Sequence, residues 1–481
     1  MADIKRALDD FIRITASEEI ANAAKTTVRG FTQARKISLQ DVLLFYTFRS
    51  CETTNKDISF LFSKLDKEKV SKQGMFKALN KTNPEVFPLM IRRFAESFYT
   101  HQDYKTLDGY IVLACDGSKM DLPPSQVMKD EFGGTLNQRI KDNGSVKKPQ
   151  ANCSILVDVL NHVVLDAMVK PCITSELPML YEHLENCKDL LKNKKVILLC
   201  DRYYGSAELF LYCALHGYRY LVRAKSYMYK HQVCNIERDG EICIDFDKAW
   251  LRRLKRADCR ELALARSKLN IRVVKNHYEY VLSEKKRQQE PIVIDSTYMT
   301  DLERTDFDTE CIVELYHINR WDNETAYFDI KTHLEAERFN SGKYNIVVCE
   351  ILGKILCYSI CGILYNRIEE IIVEKRSQQE PKTLYEYIPN MKYICDSVRI
   401  EHNLIRYLAG KLTDNVLLNA YLIQLENDCS RNVVPVRPDR HYKRWGRWMS
   451  TLPTAKFRVD GRRNPPIQRC FKANGYKTVQ R

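Results

Sequence analysis

The sequence predicts an α/β protein, with a central mixed sheet interrupted by a β-rich insertion and helical regions on either side. Three observations carry this. Residues 106–225 alternate short, β-branched apolar runs with amphipathic stretches, as expected of strands and helices in one layered unit. Residues 226–305 lose that rhythm and keep mainly strand-like runs. Residues 1–105 and 306–430 place apolar side chains at helical spacing. A chain of 481 residues is too long for one ordinary core, and roughly two to four structural units are expected.

Taken in order, residues 1–105 form the first unit. DIKRALDDFI and SLQDVLLFYTF are helical, and VSKQGMFKALNKTNP begins at an N-cap-like Ser71 and breaks at Pro84. The pattern fits a small DNA-binding domain and a plain helical bundle equally. Residues 106–225 supply the strands GYIVLACDG, NCSILVDVLN, VVLDAMV, KVILLCD and YRYLVRA. SELPMLYEHLENC and SAELFLYCALHG read as the helices between them. EICIDF, NIRVVKN, YEYVLS and PIVID, within 226–305, are strands expected to form a separate β-rich insertion. Residues 306–375 return to helix, and 376–481 combine amphipathic helices with a basic tail.

Charge is concentrated in that tail. Of a net charge of +14, residues 431–481 carry +12, with fourteen Lys/Arg against two acids. Aromatic residues such as Trp445, Trp448 and Phe471 lie among them. This mixture suits a polyanion, and a nucleic-acid backbone fits best, with Arg444, Arg447, Arg462 and Arg463 as candidate contacts. A solvated tail without a partner is the plain alternative. A second basic run, residues 248–268, has eight Lys/Arg against two acids and reads either as a DNA-facing patch or as a solvated helix face.

The seventeen cysteines are scattered, contain no C-x-x-C pair and often sit in apolar runs. They read as small buried hydrophobes in a reducing compartment, with neither disulfides nor zinc. The N-terminus MADIKRALDDFIRI has no signal-peptide hydrophobic region. The apolar stretch Ile351 to Asn366 is short and holds Lys354, so a core helix is expected and not a membrane span. A soluble, cytoplasmic protein follows.

Three acids then stand out. Asp201 ends the apolar run KVILLC, and Asp116 ends YIVLAC. Carboxyl ends of strands are where ligands collect in α/β sheets, although each acid alone could simply cap a turn. Glu324 lies in LYHINRWDNETAYFDIK. At about 100° per residue, Arg320, Glu324 and Lys331 fall within roughly 40° of one another on a helix, and Tyr316 lies about 40° to the other side. An ordinary Arg–Glu pair at i, i+4 is the modest reading. Together the acids suit two-metal phosphoryl transfer, with carboxylates holding hard cations and Arg and Lys meeting phosphate.

These segments resemble the DDE transposases of bacterial insertion sequences, specifically the insertion-sequence-4 group with its Y-R-E-K signature. LACDGSKMDLP resembles the first-aspartate motif and VILLCDRYYGSAELF the second, while YHINRWDNETAYFDIK resembles the signature helix. The likeness spans roughly residues 40 to 365. It implies an RNase H-like catalytic core, with the insertion lying between the second Asp and the Glu. It implies Asp116, Asp201 and Glu324 as catalytic metal ligands, Mg²⁺ (with Mn²⁺ able to substitute) as cofactor, and Arg320 and Lys331 as the signature's basic members. It also implies cut-and-paste transposition of double-stranded DNA. Transposon terminal inverted repeats would be cleaved through a hairpin and joined to target DNA by a synaptic homodimer in the bacterial nucleoid.

One departure is visible. The signature's Tyr position is occupied here by His317, and Tyr316 precedes it. Tyr316 is the expected DNA contact because it reaches the same helical face. Trp321 is expected either to stack on DNA or to pack in the core. Residues 45–100 are a further candidate for recognising the transposon end. A catalytically inactive, transposase-derived DNA-binding protein or inhibitor is the alternative function, and a related nuclease acting on branched DNA is a third.

Overall fold

The computed structural model describes residues 3–27, 30–31, 36–136, 146–280, 292–378, 385–436, 441–443 and 477–479. Six helices come first: α1 (Ile4–Thr15), α2 (Glu18–Ala23), α3 (Leu39–Phe48), α4 (Thr54–Lys64), α5 (Lys72–Leu79) and α6 (Val86–His101). Several begin at a Ser, Thr or Asp whose side chain accepts from the first-turn amides, and α3 has a full Ser38/Asp41 capping box.

The sheet begins with β1 (Tyr110–Asp121). Helix α7 (Gln126–Phe132) and the strands β2 (Gly134–Leu136), β3 (Val146–Asp158) and β4 (Val163–Pro171) follow. Helices α8 (Glu176–Asn186) and α9 (Lys188–Leu191) lead to β5 (Lys195–Cys200), then α10 (Ala207–His216) and β6 (Arg219–Arg223). The next segment holds α11 (Lys230–Val233), β7 (Asp239–Asp245), α12 (Lys248–Arg253), α13 (Ala257–Arg266), β8 (Lys268–Tyr280) and β9 (Ile292–Thr300). Their order in one nine-stranded sheet is β4-β3-β1-β5-β6-β9-β8-β7, with β2 pairing the start of β3. β1, β5 and β6 run parallel, whereas β3 is antiparallel to both β1 and β4.

The expected separate insertion is therefore corrected. Its strands exist, but β9 pairs directly with β6 through Leu221, Val222 and Arg223, so the insertion continues the sheet. The correction has a local cause. Tyr298 and Met299 are buried on β9 and extend the apolar core of β6 without a break. The insertion also contains the short α11, and α12 and α13 within the 248–268 run for which a helix face was one of the two readings.

Helix α14 (Thr309–Phe328) passes without interruption into a π-helical turn, Asp329–His333. Then comes α15 (Tyr344–Ser377), whose most apolar window is wholly buried inside the protein. A helix apolar all round belongs in an interior, and α15 packs against α3, α6 and β4. Lys354, expected to mark a core helix, is buried and donates to the carbonyl of Arg49 at 2.6 Å, capping the end of α3. Gly353 permits this approach, because a Cβ there would lie 2.8 Å from the Tyr46 carbonyl oxygen. The chain continues with β10 (Glu386–Pro389), α16 (Met391–Ile400), α17 (His402–Leu408) and α18 (Asn415–Arg431). β11 (Val433–Val436) pairs with β10, and β12 (His441–Lys443) with β13 (Lys477–Val479).

All sixteen described cysteines are free, and twelve are buried. Burial pushes the Cys115 and Cys153 thiols up to about 12, so they are neutral at physiological pH.

Candidate active site at the strand ends

The site is built on two strands that the interior forces to be parallel neighbours. Ile111–Cys115 of β1 and Val196–Cys200 of β5 are buried throughout, as strands covered on both faces must be. Their register pairs Leu113 with Leu198 and Ala114 with Leu199. Two residues further along each chain stand Asp116 and Asp201. The ladder ends at that second pair, so both acids lie just past the same end of the β1–β5 pairing. Electrostatics agrees: the Cys200 thiol is raised well above its ordinary value, first by burial and then by charges that include both Asp201 and Asp116.

Each acid is oriented by the turn after it. The Gly117 amide donates to Asp116 Oδ1 at 2.9 Å, and the Tyr203 amide donates to Asp201 Oδ1. Both acids are half-buried. The Ser206 N-cap accepts from Leu209 and starts α10 immediately beyond the Asp201 turn.

Glu324 arrives on α14, which packs across β1 and β5. The helix is tied down one turn later by Tyr327, a buried residue whose Oη lies 2.8 Å from the Asp116 carbonyl and 2.9 Å from that of Cys153. Its single proton is shared between these two acceptors. Glu324, three residues earlier and exposed, is thereby held on the helix segment that crosses the strand carrying Asp116. Sequence reasoning missed Tyr327, although its i+3 spacing from Glu324 was a usable signal.

Lys331 is also committed to β1. Its Nζ donates to Ser118 Oγ and to the Lys119 carbonyl, both at 2.7 Å, and lies 3.8 Å from Glu337 Oε1. Glu337 in turn accepts from the Asp121 amide. Because Lys331 lies in the π-helical turn, the uniform helical angle assumed from sequence does not extend to it.

Tyr316, the expected DNA contact, is packed against the insertion. It is only 6% exposed, and its ring lies 4.9 Å from that of Tyr298 on β9. His317 is the exposed neighbour, with Nε2 3.1 Å from Tyr298 Oη. Partial burial, with Arg223 nearby, lowers its pKa. The side chains of Arg320 and Trp321 lie outside the described residues, as do Arg444, Arg447, Arg462 and Arg463. The 248–268 run divides. Arg256 stacks on Tyr181 and Tyr212 and pairs with Asp258, whereas Lys248, Arg252 and Arg266 are exposed.

The donor set is all oxygen and suits a hard divalent cation. Among the described residues no group of three or more His, Cys, Asp or Glu is already drawn together tightly enough to hold a metal ion. The three acids come from separate elements and do not form a closed cage. Like charges resist closer approach until a cation offsets them.

Residues 108–360, just over half of the chain, match the transposase DDE domain family. No curated protein matches the chain. Among solved structures the chain is similar to one described as the cryo-EM structure of the piggyBac transposase synaptic complex with hairpin DNA. Identity is 12%, the similarity covers 91% of this chain and 87% of that one, and the TM-score is 0.42. That likeness is too distant to argue from.

Proposed function

The chain belongs to the family of transposases with a DDE domain, and from that premise we propose that it cuts DNA at transposon ends and transfers the freed strands into target DNA. The observation that carries this reading is the register of β1 and β5, which sets Asp116 beside Asp201, with Glu324 held over β1 through Tyr327.

In this reading Asp116, Asp201 and Glu324 hold divalent cations, Mg²⁺ by preference and Mn²⁺ in its place. The ions would activate the attacking oxygen and neutralise the leaving one. The protein's own part is positional. Turn amides fix the two Asp carboxylates, Tyr327 fixes the helix bearing Glu324, and Lys331 ties the following turn to β1. Arg320 is the remaining basic member of the signature and is assigned to phosphate, and His317 is the exposed candidate at the Tyr position. The tail arginines bind the DNA backbone.

The strand order β4-β3-β1-β5-β6, with β3 antiparallel and β5 and β6 parallel to β1, supports an RNase H-like core. Membership of the insertion-sequence-4 group, a synaptic homodimer on terminal inverted repeats and action at the bacterial nucleoid complete the proposal.

Cleavage of DNA carrying the terminal repeats tests it. The wild-type protein is expected to cut in Mg²⁺ or Mn²⁺, and Asp201→Asn to be inactive. Undiminished cutting by Asp201→Asn sinks the assignment of the acids. DNA binding by the wild type without nicking, even in Mn²⁺, would favour the inactive DNA-binding alternative.

A further inference from the structure

Helix α5 has two unlike faces. Met75 and Leu79 are buried, whereas Lys72, Gln73, Lys77 and, just past its end, Lys81 are exposed. The exposed face is one wall of a groove of about 540 Å³, and Lys343, the N-cap of α15, stands in the other. Phe76 lines the floor, with Lys72 Nζ 5.7 Å from its ring centroid. Four lysines from two distant parts of the chain thus share one groove.

The two walls are fixed to each other. Asn345 Nδ2 donates to the Asn80 carbonyl at 3.1 Å, which ties the end of α5 to the start of α15. Tyr46 Oη donates to the Leu79 carbonyl at 2.9 Å and holds α5 to α3. On the other side, Ser125 Oγ donates to the Gly342 carbonyl at 3.1 Å. A Cβ at Gly342 would stand 3.0 Å from the Ser125 Cβ, so only glycine allows this approach without a shift.

The charge of this groove is left unbalanced. Elsewhere in the same helical unit basic side chains are matched: Lys36 meets Glu68 at 2.8 Å, Lys67 meets Asp41 at 2.6 Å and Arg93 meets Glu19 at 2.6 Å. Among the described residues no acid forms an ion pair with Lys72, Lys77, Lys81 or Lys343. Burial, then Glu131 and Glu85, raises the Tyr344 hydroxyl beside Lys343, but neither acid lines the groove. Like charges gathered in this way repel, and an anion offsets the repulsion. From Lys72 to Lys81 is roughly 14 Å at helical rise. A single small anion cannot touch both ends of that row, whereas a nucleic-acid strand carries a phosphate about every 3.4 Å of its axis.

The groove is also within reach of the acids. Ser125, which holds its Gly342 edge, lies nine residues beyond Asp116, and that length of chain spans roughly 30 Å at most. One turn of duplex DNA is about 34 Å. We propose that this groove grips the phosphate backbone of the end DNA about one helical turn from the cut. The proposal rests on the reading of the acids as the DNA-cutting site, and it gives the candidate region 45–100 a defined surface.

The test is the salt dependence with which the full-length protein binds a labelled duplex carrying the terminal repeat, followed by fluorescence anisotropy. Lys72→Gln/Lys77→Gln is expected to weaken binding about tenfold or more near physiological salt. The slope of log affinity against log salt should flatten by about two, with the melting temperature unchanged. If that pair does not fold, Lys343→Gln alone should flatten the slope by about one. Lys188→Gln/Lys192→Gln removes the same charge from exposed positions that precede β5, at the opposite end of that strand from Asp201, and should change the slope little. Equal flattening by both pairs, or by neither, overturns the proposal. Neutral methylphosphonate linkages within one turn of the cut should weaken binding by the wild type but not by Lys72→Gln/Lys77→Gln. Equal weakening of both proteins would also overturn it. Asp201→Asn, measured in parallel, separates the two ideas, since it should lose cleavage and keep the slope. If Asp201→Asn cuts normally, the three-acid reading falls, and the groove still stands or falls on the slope.

Discussion

Two of the three acids are held by the sheet and the third by a helix, and the two arrangements differ in kind. Asp116 and Asp201 follow the buried segments Ile111–Cys115 and Val196–Cys200, which a backbone ladder joins, so their spacing is a property of the fold. Glu324 stands on a helix joined to β1 by two side-chain ties, from Tyr327 and from Lys331 in the π-helical turn. The difference teaches that the strand pair is set once the core forms. The placement of Glu324 rests on the packing of α14 across β1 and β5 together with polar ties that single substitutions can remove.

The largest effects should come from the acids themselves. Asp116→Asn and Glu324→Gln should each reduce end cleavage on the order of a thousandfold or more, since each removes charge held against the transition state. Glu324→Gln, at an exposed position, should leave the melting temperature unchanged. Normal cleavage by either variant would erase the distinction between the sheet and helix sides.

Tyr327→Phe tests the helix tie directly. It leaves two inward-facing carbonyls without their hydroxyl partner and should cost roughly 1–3 kcal/mol of stability. Cleavage should fall about tenfold, as a displacement of roughly 1 Å can cost more than that. Full stability and full activity together would show that the tie does not place Glu324.

Lys331→Met should have a smaller effect, about 1 kcal/mol, by removing the bonds to Ser118 and Lys119. As a structural tie it should lower the melting temperature while leaving the salt dependence of DNA binding unchanged. A drop of about one in that slope would instead identify Lys331 as a phosphate contact.

The smallest effect belongs to the core away from the acids. Burial pushes the Asp158 carboxyl up to about 6 despite bonds from Tyr99, Asn161 and Leu160. The folded state therefore binds this proton more tightly than the unfolded chain, whose value is near 4. Its contribution to stability is complete below that value and is lost as pH rises toward 6. Melting curves from pH 4 to 7 should show this decline, and Asp158→Asn should flatten it. An identical slope in the variant would assign the dependence to other groups.

Much of this was legible in the sequence because burial leaves a mark on composition. The runs IVLAC and VILLC had to be interior strands, and Asp201 emerges where β5 ends, but β1 runs on past Asp116 to Asp121 by pairing with β3, which its composition did not announce. The helix around Glu324 was equally visible from spacing. Long-range pairing was not. Nothing local to residues 292–300 announces that β9 joins β6, because antiparallel edge pairing is chosen by the completed core. The fate of Tyr316 was hidden for the same reason: its helical angle is right for the site, but Tyr298, arriving from the insertion, covers it. Lys343 gave no signal by itself, since only the structure sets it against the lysines of α5.

The β6–β9 pairing has a consequence for engineering. Excising residues 226–300 to make a minimal catalytic domain would expose the flank of β6 that pairs with β9, leaving the amides and carbonyls of Leu221 to Arg223 without their ladder. Such a flank invites another chain to dock. The insertion thus serves as a sealing margin for the enzyme, and a trimmed version should be designed with a replacement strand and not a loop.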